Sequence, residues 1–177
     1  LLLIVGVSWA YALACGPLRA RCAPGLQAYP RNYAICFHLG VVVAYIAVGS
    51  PLDQIGEAFL FSAHMLQHML LIYVAAPLII LGLPPELTDP FLEARPRLLK
   101  FARFLVHPLV AGLIFNFNFS VWHFPELYEA ALRDRTLHVI EHWLMFLPAL
   151  LMVWPLVSRS RVLPRISFGG AMIYCFA

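Results

Sequence analysis

Seven histidines mark this chain: His38, His64, His68, His107, His123, His138 and His142. Four of them form two H-x-x-x-H pairs, His64/His68 in FSAHMLQHML and His138/His142 in LHVIEHWLM. On a helix, residues four apart lie on one face, one turn apart, so one ion can take both imidazoles of a pair. His123, directly after Trp122, offers a third source of ligand. Imidazole suits zinc, copper, iron and nickel, and thioether sulfur favours Cu(I). Met65, three residues before His68, and Met145, three after His142, tilt the expectation toward copper. Glu141 is three residues from His138. It is placed to accept the second N–H of a ligating imidazole, or to ligate directly. Two other readings of the five histidines stay open: a pH-sensing cluster and hydrogen bonding between helices. His38 and His107 are expected to do only the latter. Cys15, Cys22, Cys36 and Cys175 form no C-x-x-C pair, so a cysteine-based metal or redox motif is not supported and all four read as structural.

The elements that must position these residues follow from composition. Of 177 residues, 62% are hydrophobic and 12% charged. Soluble domains carry about 25% charged residues. That excludes an ordinary cytosolic enzyme, a disordered tail and a secreted disulfide scaffold, and leaves an all-α polytopic transmembrane helix bundle. The net charge of +3 is small, and the basic residues sit between apolar runs, which argues for membrane orientation rather than nucleic-acid binding. The chain begins and ends inside apolar runs. It is expected to be a single membrane domain over residues 1–177, a fragment truncated at both ends.

A spanning helix needs about 20 mostly apolar residues. Five stretches fit: Leu1 to Leu18, Asn32 to Leu52, Ala58 to Pro85, Phe104 to Pro125, and Thr136 to Ser158, whose one charge is Glu141. Part of a sixth begins near Gly170. The runs do not alternate apolar with polar, so strands are a poor alternative. Loops one, three and five hold ten Lys and Arg, and loops two and four hold two, Arg133 and Arg135. The positive-inside rule therefore puts the odd loops in the cytoplasm and loops two and four outside. Residues 84–103 form the one long amphipathic connection, expected as a helix on the inner membrane surface. This topology brings His64, His68, His123, His138 and His142 to one depth, the outer interface, with His38 and His107 near the inner ends of their spans. Ionisable residues inside spans are functional candidates by default.

Other polar residues read as structural. Gln67, Asn116 and Asn118 are expected to bridge helices. Asp53 and Glu57, near the outer mouth, are expected to be solvated loop charges. Pro77 and Pro148 each free an upstream carbonyl and are expected to kink their helices.

The stretch FSAHMLQHMLLIYVAAPLIILGLP resembles the signature of the CtaG family of polytopic bacterial cytochrome c oxidase assembly factors. NFNFSVWHFPELYEAAL followed by LHVIEHWLMFLPALLMVWP is similar to that family's second signature, in the same order, so the resemblance runs from Ser50 to Pro155. It implies a multi-pass protein of the bacterial plasma membrane with a role in copper delivery or site assembly. It carries over the ligand set His64, His68, His123, His138 and His142, and it implies an oxidase subunit or other assembly factors as partners, in the lipid bilayer. No nucleophile–base pair or phosphate loop accompanies the histidines, so the expected role is non-enzymatic. Three alternatives are a copper transporter or import subunit, a bis-His haem-binding membrane protein, and a membrane di-iron oxidase. A transporter needs polar residues continuing inward, for which Asn116, Asn118 and His107 are the candidates. Haem ligands more typically come singly from facing helices, and di-iron sites usually draw on more histidines, often on the cytoplasmic side.

Overall fold

The computed structural model describes residues 2–22, 29–58, 60–163 and 165–176, without the side chains of Leu3, Cys22, Glu57 and Ala58. The readings of Cys22 and Glu57 therefore lie outside the described residues. Every regular element among the described residues is helical. In chain order they are α1 (Leu2–Leu13), a π-turn (Ala14–Leu18), α2 (Arg19–Cys22), α3 (Arg31–Gly49) and α4 (Pro51–Ala58). Then follow α5 (Phe61–Met69), a second π-turn (Leu70–Ala75), α6 (Ala76–Gly82), α7 (Pro85–Glu93) and α8 (Pro96–Leu105). The last four are α9 (Pro108–Trp122), α10 (Pro125–Arg133), α11 (Arg135–Val157) and α12 (Phe168–Phe176).

Proline sets much of this segmentation. Helices α4, α7, α8, α9 and α10 all open on proline, where its missing N–H is no loss and its fixed φ suits the first turn. His107, before Pro108, is extended at ψ 129°, as the clash with a following proline ring requires. Consequently α8 and α9 meet at 62°. Pro77 cannot donate to the carbonyl four residues back, and the turn preceding it is π-helical, with the Ala76 N–H reaching Leu71 O. Pro17 sits inside the other π-turn. Pro148 lies within a continuous α11, and the carbonyl that it cannot reach, Leu144 O, accepts the Asn118 amide of α9 at 2.6 Å.

Three helical segments are long and apolar enough to cross a membrane: Arg31–Gly49, Phe61–Gly82 and Arg135–Val157. The bent pair α8–α9 makes a fourth if it is one span. This is fewer than the five spans and part of a sixth expected from hydropathy. The differences have local causes. The first expected span takes a π-turn at Pro17 and runs on into α2, the expected fourth bends at Pro108 so that α9 alone has 15 residues, and α12 holds 9. Residues 84–103 hold two short helices, α7 and most of α8, rather than one, because Pro96 starts a new helix. The fourth loop is itself helical, as α10.

The α5–α6 segment lies between α3 and α11, and α9 packs on α11. Ile72, Ala76, Phe115, Ala149 and Val153 form the buried cluster where these helices meet. Helices approach closely in membranes through small residues. A Cβ on Gly82 would stand 2.5 Å from Phe37 Cβ and 2.8 Å from its backbone. The Gly82 carbonyl, orphaned at the end of α6, accepts the hydroxyls of Tyr11 at 2.6 Å and Tyr29 at 2.9 Å. Opposite the core, Leu109, Leu113 and Phe117 of α9 are each more than 70% exposed. They form an apolar stripe at helical spacing that suits hydrocarbon rather than water.

Candidate metal centre

The two H-x-x-x-H pairs face each other across the α5–α11 contact. His64, His68, His138 and Glu141 are at most 2% exposed and His142 is 6%. Ring centroids within each pair are 4.4 Å apart, and between pairs the separations are 5.3 to 6.0 Å. His123, capping the end of α9, stands 6.1 Å from His68 and stacks on Phe119. The five histidines expected to converge therefore form one continuous group, with His123 at its edge. Glu141 lies among them: its Oε1 is 3.5 Å from His64 Nε2 and 3.9 Å from His68 Nε2.

Backbone hydrogen bonds orient two of the rings. His142 Nδ1 contacts His138 O at 2.9 Å, and His123 Nδ1 contacts Phe119 O at 2.7 Å. A carbonyl only accepts, so each Nδ1 carries the proton and, in the neutral ring, each Nε2 keeps its lone pair. This is the arrangement in which a histidine ligates a metal, its other N–H held by a carbonyl. Both Nε2 atoms are buried without a hydrogen bond, as are both ring nitrogens of His64 and of His68, and Glu141 Oε2. Buried polar atoms rarely go unpaired, so this donor set fits an ion. Its imidazole and carboxylate atoms suit a borderline transition-metal cation.

Two overlapping triads bring three ligand atoms within 4.8 Å of one another: His64–His138–Glu141, and Asp53–His138–His142. Two ligands about 2.1 Å from one ion stand at most about 4.2 Å apart, and within that limit lie His64 Nε2 and Glu141 Oε1 at 3.5 Å in the first triad and His138 Nε2 and Asp53 Oδ1 at 3.7 Å in the second. Met145 is fully buried, packed with Trp122 and Ala131, and its sulfur faces the Asn118 amide at 3.9 Å. Met65 is half-buried.

The match to known proteins is of one kind. The family model described as cytochrome c oxidase caa3 assembly factor (Caa3_CtaG) matches residues 9–177. The chain belongs to this family. Comparison with curated proteins and with solved structures gives no match. The caa3 assembly factors are defined by their part in building cytochrome c oxidase, and the apolar helices of this member fit a membrane protein.

In this caa3 assembly factor family member, Asp53 is the site residue that sequence reasoning missed. Expected as a solvated loop charge, it lies on α4, which folds back over α5. Its Oδ1 is 3.7 Å from His138 Nε2 and accepts Gln67 Nε2 at 2.9 Å. Burial works to raise its pKa, but the facing His138 and Gln67 side chains outweigh that and hold the carboxyl below its ordinary range. Gln67 also donates to Ala47 O at 2.8 Å, tying α5 to α3 as a bridging residue should. Gly56 lets α4 come this near, since a Cβ there would strike Gln67 Oε1 and stand 3.1 Å from the His64 backbone nitrogen. Tyr128 of α10 is a further neighbour, its ring 5.7 Å from His64. Burial and the Glu141 carboxylate push its phenol pKa up. The residues assigned to structure behave variously. His38 Nδ1 bonds Ala34 O at 2.8 Å, and exposed His107 caps α9. Asn118 bridges α9 to α11, but Asn116 bonds Gly112 O of its own helix. Those two amides, on which an inward transport path depended, are thus engaged with backbone carbonyls.

Proposed function

We propose that this protein assembles cytochrome c oxidase by holding copper as cargo at the His64, His68, His123, His138, His142 cluster, with Glu141 beside it, and releasing it to an oxidase subunit or another assembly factor. One observation carries the reading: imidazoles from three helices gather about a buried carboxylate, with both ring nitrogens of His64 and His68 and the Nε2 atoms of His123 and His142 buried without a hydrogen bond, the latter two rings held in a ligating tautomer by backbone carbonyls. Holding and releasing an ion needs ligand exchange but no covalent chemistry, so the role is that of a chaperone rather than an enzyme. The distribution of basic residues supports a multi-pass protein of the bacterial plasma membrane, with five spans and part of a sixth. In that topology loops two and four, and the cluster, face outward, and loops one, three and five lie in the cytoplasm.

Elemental analysis of the protein purified in mild detergent from copper-replete cells tests this, beside a His64→Ala/His68→Ala variant. Stoichiometric copper, lost in the variant together with oxidase maturation in cells, is the expected result. Stoichiometric iron moves the reading to haem or di-iron. Absence of any metal overturns the cargo role. A reporter fused to the α3–α5 connection tests orientation, and cytoplasmic activity there overturns the outward-facing site.

A further inference from the structure

A groove of about 380 Å³ separates α3 from α11, walled by apolar residues of α1, α3, α6 and α11. Asp53, His138 and His142 line it, whereas His64, His68 and Glu141 are not among its lining residues. The two triads therefore differ in access. Asp53 has 15% of its side chain exposed, and His64 and Glu141 have 1% each. The triads also share His138. A neutral imidazole has a single lone pair, so His138 ligates one ion at a time and the two triads cannot both be filled as three-ligand sites.

We propose that the triads are two alternative positions for a single ion: an exchange position on the groove (Asp53, His138, His142) and a storage position behind it (His64, His138, Glu141). The ion passes between them by ligand exchange about His138. The inference rests on the copper-holding reading and adds Asp53 as the ligand that governs release. The step is an exchange of donors, with no change of oxidation state and no covalent bond made or broken. In the exchange position Asp53 and His142 replace His64 and Glu141 about the common imidazole. Each position offers two imidazoles and one carboxylate, so their ligand fields are similar and neither traps the ion against transfer. Gln67 holds Asp53 in place by donating to its Oδ1, the oxygen that faces His138 Nε2 at 3.7 Å, and a carboxylate keeps further lone pairs for the ion. The orphaned His142 Nε2 supplies the second nitrogen.

The test uses the full chain in mild detergent, loaded with a Cu(II) salt, with Asp53→Asn and Glu141→Gln variants. Asn keeps an oxygen to accept the Gln67 amide and removes the charge. Copper stoichiometry, the Cu(II) electron paramagnetic resonance spectrum and the rate of copper release to a chelator are read for each. The wild type should hold a single Cu(II) with a spectrum that resolves into two components. Asp53→Asn should keep the ion, lose one component and release copper at least about tenfold more slowly, the low end of the about 10–100-fold that even a hydrogen-bond partner of a ligand contributes to metal affinity. Glu141→Gln should lose the other component and release copper faster. Because the two variants move in opposite directions, a folding defect in either one cannot imitate the pair. Two Cu(II) ions held together, or an Asp53→Asn protein identical to wild type in spectrum and release, overturns the two-position arrangement while leaving copper holding intact. A wild type that binds no copper overturns both.

Discussion

Asn118 and Pro148 form a unit that a double-mutant cycle can measure. Pro148 has no N–H, so Leu144 O loses the partner that an uninterrupted helix would provide. Asn118 reaches across from α9 and supplies one at 2.6 Å. Asn118→Ala orphans that carbonyl, a change that costs about 1–3 kcal/mol for a buried group. Side-chain hydrogen bonds between membrane helices are worth less, about 0.6 kcal/mol on average and up to about 1.7. The bond here is short and its acceptor has lost its own helical partner, so a loss of about 1.5 kcal/mol is expected. In a Pro148→Ala background the backbone N–H restored at that position satisfies Leu144 O, and removing Asn118 should then cost about 0.5 kcal/mol or less, giving a coupling of about 1 kcal/mol. Unfolding in mixed micelles of increasing SDS content, followed by tryptophan fluorescence, gives the four stabilities. A coupling inside the ordinary additivity error of about 0.3–0.5 kcal/mol would refute the assignment of Asn118 as the replacement donor.

Three further outcomes follow from the packing and the caps. Glu141→Gln should leave the metal-free melting temperature unchanged or raise it, because it removes a buried carboxylate whose Oε2 has no partner; a marked fall would make Glu141 a structural ion-pair partner instead. Gly82→Ala should cost about 1–3 kcal/mol by forcing α6 off Phe37, measured by thermal melting. Gly6→Ala, where a Cβ meets nothing within 4 Å inside α1, serves as the control and should be neutral or stabilise by up to about 1 kcal/mol. Asp134 accepts the Leu137 and Thr136 N–H groups at the start of α11, which holds its carboxyl below the ordinary range. Its contribution is therefore complete above the unfolded-state value and is lost as pH falls through the lowered native one. Asp134→Asn should keep the cap and flatten that part of the pH–stability curve, read as the difference from wild type.

The histidine pairs were legible in the sequence because their spacing of four is a local property of any helix, and the alternating direction of successive helices sufficed to bring His123 to the same end. Glu141 was legible for the same reason, one turn from His138. Asp53 was not. It sits 85 positions before His138, next to Pro51 and in a stretch that reads as a charged turn. Only the folding of α4 back over α5 makes it part of the site. Asn116 was misjudged because an amide on a helix has two nearby choices, its own backbone or a neighbour, and sequence spacing does not decide between them. The span count was less legible than the helices themselves, because hydropathy runs smoothly through Pro17 and Pro108 while the backbone turns π-helical at the first and bends by 62° at the second.

The π-turn at Leu70–Ala75 sets the rotational phase between the two halves of its span. A π-turn holds one residue more than an α-turn, and each α-helical residue turns the chain by about 100°. Winding this turn as ordinary α-helix without removing a residue would add about 100° of rotation. With α6 anchored against α3, His64 and His68 would swing by that angle around the helix axis, away from Glu141, although no ligand had been changed. Removing one residue together with the wide turn would keep their phase. The wide turn before Pro77 is thus as much a determinant of the cluster as the histidines themselves. An inserted residue in this stretch should abolish metal holding in chains that keep every ligand, and a single deletion should be tolerated.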